Sequence, residues 1–285
     1  MPDIECIADY QCNCGENPLW HADERRLYWT DINTGRLFRY EPASGRHEQC
    51  YAGEQVGGFT IQKDGALLLF MARGAVRVWR DGFVRTVIEE IPHERDSRFN
   101  DVIADHKGRV FCGTMGGSQK KGRLYRLDPD GSLTVLLEGL GCPNGMGFTA
   151  DRKTMYFTES IARLVYKFDY DEQTGELSNQ RVFVAPPPEH GLPDGMTVDA
   201  AGNVWSAQWD GSAIVEYTPS GDLLQRIELP AQKVSSVAFG GDDYRDLYIT
   251  TAGGDNRDEE GWGAGCLFRC RGLATGVAEF LSEVS

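Results

Sequence analysis

A chain of 285 residues, 41% hydrophobic and 25% charged, has the composition of an ordinary water-soluble globular protein. Its formal net charge of −14 argues against nucleic acid, whose phosphates need a basic face, and no apolar run approaches the roughly 20 residues that span a membrane. The 34 glycines suit many tight turns rather than long helices.

Along the chain, short β-rich runs recur at residues 26–29, 65–69, 108–111, 153–157, 202–205 and 246–249, preceded by turn signals such as Lys63-Asp64-Gly65 and Ala200-Ala201-Gly202. A second strand ending in a charged turn follows, as in Gly122-Arg123-Leu124-Tyr125 before Asp128-Pro129-Asp130-Gly131. The units open near Asn17-Pro18, Gly57-Gly58, Asn100-Asp101, Pro143-Asn144-Gly145, Pro193-Asp194-Gly195 and Ser235-Ser236. A repeat of roughly 40 to 50 residues, with room for four short strands, is the size of a propeller blade. No segment keeps a 3.6-residue apolar period over three turns, which sets aside a helical solenoid. The chain therefore reads as one all-β domain over residues 1–285, a six-bladed β-propeller with four antiparallel strands per blade. Closure requires one blade built from both ends of the chain. The start Ile4-Glu5-Cys6-Ile7 is expected to complete the last blade, in a sheet begun by residues 266–269 and ended by residues 278–280.

The openings of several blades carry polar residues: Glu16, Asn100, Asn144 and Asp194. The first strand of a blade lines the central channel, so these side chains are expected to face one small volume. Two of them sit in near-copies of one phrase, Pro143-Asn144-Gly145-Met146 and Pro193-Asp194-Gly195-Met196. Singly, Asn-Gly and Asp-Gly are turn dipeptides and Glu16 an exposed acid. Repeated at blade period, carboxylates and amide oxygens make the donor set of a hard divalent cation.

The ordered set of phrases resembles the senescence marker protein (regucalcin), gluconolactonase and luciferin-regenerating-enzyme-like family over nearly the whole chain. The phrases are Gly15-Glu16-Asn17-Pro18-Leu19-Trp20, Leu27-Tyr28-Trp29-Thr30-Asp31-Ile32, Arg98-Phe99-Asn100-Asp101, Gly113-Thr114-Met115, Pro143-Asn144-Gly145, Pro193-Asp194-Gly195-Met196, Phe239-Gly240-Gly241 and Gly263-Ala264-Gly265-Cys266-Leu267-Phe268. The resemblance implies a sugar lactone as substrate and one divalent cation (Ca, Zn, Mn or Mg) held by Glu16, Asn144 and Asp194. It implies that Arg98 and Asn100 bind substrate oxygens. Asp194, touching both cation and pocket, is then the expected general base for the attacking water. The family's sugar-binding acid, shortly after Gly-Thr-Met, falls here at Ser118, so the substrate is expected to differ from that of mammalian relatives. Asn17 stands where the family often has a small residue. Two rival readings keep the same site: a calcium-binding regulator without turnover, and a propeller hydrolase of phosphotriesters. A third makes the propeller a scaffold for protein partners.

Residues 1–14 show no basic region followed by an apolar stretch, so no secretory signal is expected. The eight cysteines include Cys12-x-Cys14 and Cys266-x-x-x-Cys270 but no paired C-x-x-C knuckles. They read mostly as core thiols of a cytoplasmic protein, a monomer or weak dimer, without structural disulfide or zinc–cysteine site. The five histidines form no spaced metal set, and there is no G-x-S-x-G elbow. Asp255, Asp258, Glu259 and Glu260 are expected in a solvated last-blade loop, with Trp209 and Trp262 as candidate walls of the pocket mouth.

Overall fold

The computed structural model describes residues 3–117 and 120–285. The chain forms six sheets of four antiparallel strands, the blades of a six-bladed propeller. The first five blades open with Gly15–His21, Val56–Ile61, Phe99–Ala104, Pro143–Phe148 and Leu192–Val198. The last consists of Val234–Gly240, Asp246–Thr251, Cys266–Arg271 and, completing it, the N-terminal Ile4–Asp9. Among the described residues the only α-helix is the four-residue Arg257–Glu260.

Burial falls from axis to rim, and composition follows it. Val56–Ile61 is buried at every position, whereas the rim strand Arg46–Ala52 is mostly exposed and polar. Inner strands crowd at the axis: a Cβ on Gly57 would collide with the Phe99 carbonyl of the next blade, and one on Gly145 with the Met196 amide. Only glycine allows that approach. The apolar cores lie between neighbouring blades. Trp205 of the fifth meets Phe239 of the sixth edge-to-face, with ring centroids 6.0 Å apart, inside a cluster with Ile214, Val237, Leu247 and Ile249. Such pairs add about 0.5–1.5 kcal/mol beyond area burial.

The C-terminal expectation is half right. Ile4–Asp9 does pair with Cys266–Arg271, but residues 278–280 form no strand. With the N-terminal strand in place, the last blade has its four strands. The tail instead runs past the far ends of the inner strands, remote from the starts that carry Glu16, Asn144 and Asp194. Ser282 N–H donates to the Ile61 carbonyl, Gln62 Nε2 to the Val284 carbonyl and Glu283 N–H to the Gly108 carbonyl, so the tail ties blades together.

Candidate functional site

All six inner strands break register near their starts, four of them over two residues. The pairing of strand one with strand two slips between Glu16 and Leu19, Phe99 and Val102, Pro143 and Met146, and Pro193 and Met196. A β-bulge re-aims the residues within it. Three of these bulges hold Asn100-Asp101, Asn144-Gly145 and Asp194-Gly195, and the first holds Asn17-Pro18, with Glu16 paired to Thr30 at its edge. The repeated phrase of the sequence is thus a repeated bulge.

Glu16, Asn100, Asn144 and Asp194 are all buried, at 7%, 7%, 5% and 4% exposure. Burial, then the neighbouring Asp101 carboxyl, pushes the Glu16 carboxyl up to about 8. Asp194 is held well above the usual carboxylate range by burial and by Glu16 and Asp101, with the Asn144 amide and Arg98 opposing the shift. Glu16 and Asn144 are therefore close neighbours of Asp194, and two oxygens of this trio are unmatched. Asn144 Oδ1 and Asp194 Oδ1 are buried without a hydrogen-bond partner. Leaving such groups unmatched costs about 1–3 kcal/mol each, more for a charge.

Arg98 and Asn100 stand beside this trio but are engaged with protein. Arg98 donates to Asn100 Oδ1 at 2.6 Å and to the Phe99 carbonyl at 2.9 Å, and Asn100 Nδ2 donates to the Pro143 carbonyl at 2.9 Å. Arg98 also lines a cleft of about 720 Å³ with Gln55, Arg73, Ser97, Met115 and Lys120. Ser118 lies outside the described residues.

Several neighbours were not singled out from sequence. Cys142 Sγ accepts from Asn100 Nδ2 at 3.8 Å and Asn144 Nδ2 at 3.7 Å and lies 3.4 Å from Met115 Sδ. Cys14 is close enough to Glu16 and Asp194 for their charges, after burial, to push its thiol up. These two cysteines lie beside the trio and are half-buried, as is Cys50, while Cys6 is exposed and the other four are buried; all eight are free. Asn17 gains an account. Its backbone is left-handed, with φ of +50°, and its Oδ1 accepts the Phe59 N–H at 2.7 Å, joining blade one to blade two. Asp101, with Asn17, Thr60, Ser236 and Glu279, lines a cavity of about 50 Å³ farther down the channel. Burial pushes Asp101 up to about 6 and Glu279 up to about 7. Among the described residues, no group of three or more His, Cys, Asp or Glu could hold a metal, because the trio combines two carboxylates with an amide.

The last-blade insertion departs from a plain solvated loop. Glu260 is buried and ion-paired with Lys233, and Arg257 with Asp9. Lys233 Nζ sits over the Trp209 ring, 5.6 Å from its centroid, while Trp262 is 63% exposed and packs against Phe268. Among the described residues no helix is long and apolar enough to cross a membrane.

Comparison with known proteins agrees with this architecture. The chain is 51% identical to the pentonolactonase XacC of Haloferax volcanii, over 98% of this chain and 97% of that protein. It is 32% identical to regucalcin of Gallus gallus, over 95% and 94%. The solved luciferin-regenerating enzyme superposes with a TM-score of 0.91 at 28% identity, covering 100% of both chains. Residues 14–253 match the family described as the SMP-30/gluconolactonase/LRE-like region, and the chain belongs to that family.

Proposed function

We propose that this protein hydrolyses sugar lactones to the open hydroxy acids, with one divalent cation bound by Glu16, Asn144 and Asp194. The observation that carries this reading is the pair of buried, unmatched oxygens, Asn144 Oδ1 and Asp194 Oδ1, beside the Glu16 carboxyl. Oxygen donors of two carboxylates and an amide suit Ca, Mg or Mn, and Zn tolerates them. The names of relatives support the substrate class, and pentonolactones are the first compounds to assay. A cytoplasmic site of action fits the eight free thiols.

When bound, the cation supplies Lewis-acid polarisation of the lactone carbonyl and stabilises negative charge developing on its oxygen. The remaining work falls to the chain's own groups. Asp194 accepts a proton from the attacking water as the carbon–oxygen bond to that water forms. The ring ester bond then breaks, and the departing ring oxygen takes the proton that Asp194 accepted, becoming the hydroxyl of the product and returning Asp194 to its ionised form. A base must be ionised, and burial alone favours the protonated Asp194, so positive charge nearby is part of the design. Arg98 is one such charge, and it lines the cleft, where its guanidinium would hold substrate oxygens by charge-assisted hydrogen bonds. Asn100, occupied at both ends, would act on substrate only by exchanging a partner.

The test is a panel of pentono- and hexonolactones assayed by acid release, with chelator and after return of each cation. Hydrolysis that stops with chelator and returns with cation is expected. Cation binding without turnover of any lactone would favour a regulator, and turnover of phosphotriesters alone a different hydrolase.

A further inference from the structure

The three proposed ligand strands are tied to their neighbours in one repeated way. The residue before each ligand, Gly15, Pro143 or Pro193, presents its carbonyl to a buried side chain of the preceding blade. Asn100 Nδ2 donates to Pro143 O at 2.9 Å, Ser160 Oγ to Pro193 O at 2.7 Å, and Ser235 Oγ to Gly15 O at 2.6 Å. Around the ring the ties run from blade three to four, four to five, and six to one. Each ends one residue short of Asn144, Asp194 and Glu16 respectively.

The direction of these bonds carries information. A carbonyl can only accept, so the Ser160 hydroxyl must spend its hydrogen on Pro193 O. Its oxygen is then left to accept, and the neighbour it accepts from is Asn144 Nδ2 at 3.1 Å. The Asn144 amide is thereby fixed with nitrogen toward Ser160, and its Oδ1 is left buried without a partner. Asn100 is polarised in the opposite sense. Arg98 can only donate and takes Oδ1, and the Pro143 carbonyl takes Nδ2. Ser160 is 5% exposed and Ser235 fully buried, so water cannot substitute cheaply for either hydroxyl.

We propose that Ser160 and Ser235 are positioning residues for the cation ligands: Ser160 orients the Asn144 amide and fixes the Asp194 strand, and Ser235 fixes the Glu16 strand. This rests on the cation reading above. The serines touch neither cation nor substrate, and their effect passes through the ligands they hold, as outer partners of metal ligands do. Ser160 acts on two ligand-bearing strands and Ser235 on one, so the two should differ in weight.

The experiment is calorimetric titration of Ca and Mn into cation-free wild type, Ser160→Ala, Ser235→Ala, Ser160→Thr and Ser282→Ala, with urea unfolding of each. Ser282 is an equally buried serine whose hydroxyl meets Thr60 Oγ1 and the Ile61 carbonyl, so its variant reports loosening of the fold alone. Ser160→Ala is expected to weaken binding toward the upper part of a range of about 10- to 100-fold, and Ser235→Ala toward its lower part. Ser160→Thr, which keeps the hydroxyl, should restore most of the affinity, and Ser282→Ala should lose stability but not affinity. If Ser160→Ala does not fold, Ser235→Ala carries the same test. The assignment is overturned if both alanine variants bind as wild type does, or if Ser282→Ala weakens binding as much as they do. A wild type that binds neither cation overturns the cation reading itself.

Discussion

Asp194 and Asp199 sit near opposite ends of one inner strand, Leu192–Val198, and are buried almost equally, at 4% and 2% exposure. Asp199, just beyond the strand at the far end, is fully matched. Its Oδ1 accepts the Ala201 and Asn203 N–H groups at 2.9 Å each, and its Oδ2 accepts Trp205 Nε1 at 3.0 Å and Asn203 Nδ2 at 3.3 Å. Asp194, near the other end, keeps Oδ1 unmatched and lies beside another carboxyl. Blade three closes the corresponding turn in the same way. Asp105, beyond Phe99–Ala104, holds Arg109 at 2.5 Å and accepts from Tyr170 at 2.8 Å. The far ends of these strands use buried acids to close turns, whereas the near end of the fifth blade's strand leaves Asp194 uncompensated by protein. A fold tolerates that arrangement where a ligand completes it.

The contrast is broken most strongly by substituting its two aspartates. Asp194→Ala should lower lactone turnover by at least about 100-fold, within the 10²–10⁴ range of a lost general base, while the cation-free fold keeps its stability. Asp199→Ala should do the reverse: turnover per folded molecule stays near wild type, and urea unfolding shows a loss of about 1–3 kcal/mol from stranded buried donors. Arg98→Ala should raise KM by about tenfold with little change in cation affinity, the scale of one charged hydrogen bond, read from initial rates and titration. Asn144→Asp exchanges one oxygen donor for another. It should retain cation binding but lower kcat, because extra negative charge beside Asp194 and Glu16 offsets the field that the carbonyl oxygen needs.

A smaller effect concerns pH. The folded protein holds Glu16 at about 8, Glu279 at about 7 and Asp101 at about 6, all above unfolded values near 4. Between those limits the native state binds more protons than the unfolded state, so stability of the cation-free protein falls as pH rises. The contribution is complete below about pH 4 and lost by about pH 8. Unfolding midpoints in chelator from pH 5 to 9 should show the decline, and Glu279→Gln should flatten its middle part.

Much of this was legible in sequence because it repeats. The six strand openings fall where the turn-and-strand phrases put them, and the near-copies Pro143-Asn144-Gly145 and Pro193-Asp194-Gly195 mark the bulges that bring Asn144 and Asp194 together. What does not repeat was hidden. Residues 278–280 alternate apolar and polar as a strand does, yet the N-terminal strand had already taken the edge. Ser160 carries no pattern at all; its meaning lies in a carbonyl of the next blade, 33 residues away. Cys142 looked like core because a thiol is apolar by composition, and only packing sets it against two amides. Asp101 gave a faint signal, since it occupies the place in its bulge that Gly145 and Gly195 hold in theirs.

The central claim is that Glu16, Asn144 and Asp194 bind one divalent cation. Thermal unfolding of the chelator-treated protein, with and without added Ca or Mn and with bound metal counted by elemental analysis, addresses it most directly. A ligand of the native state stabilises by RT ln(1 + [L]/Kd), about 2.7 kcal/mol at a hundredfold excess over Kd. The account predicts one cation per chain and a clear rise in Tm for wild type and Asp199→Asn, and neither for Asp194→Ala or Glu16→Ala. Wild-type protein with no bound metal, no shift in Tm and lactone hydrolysis undiminished by chelator would contradict it.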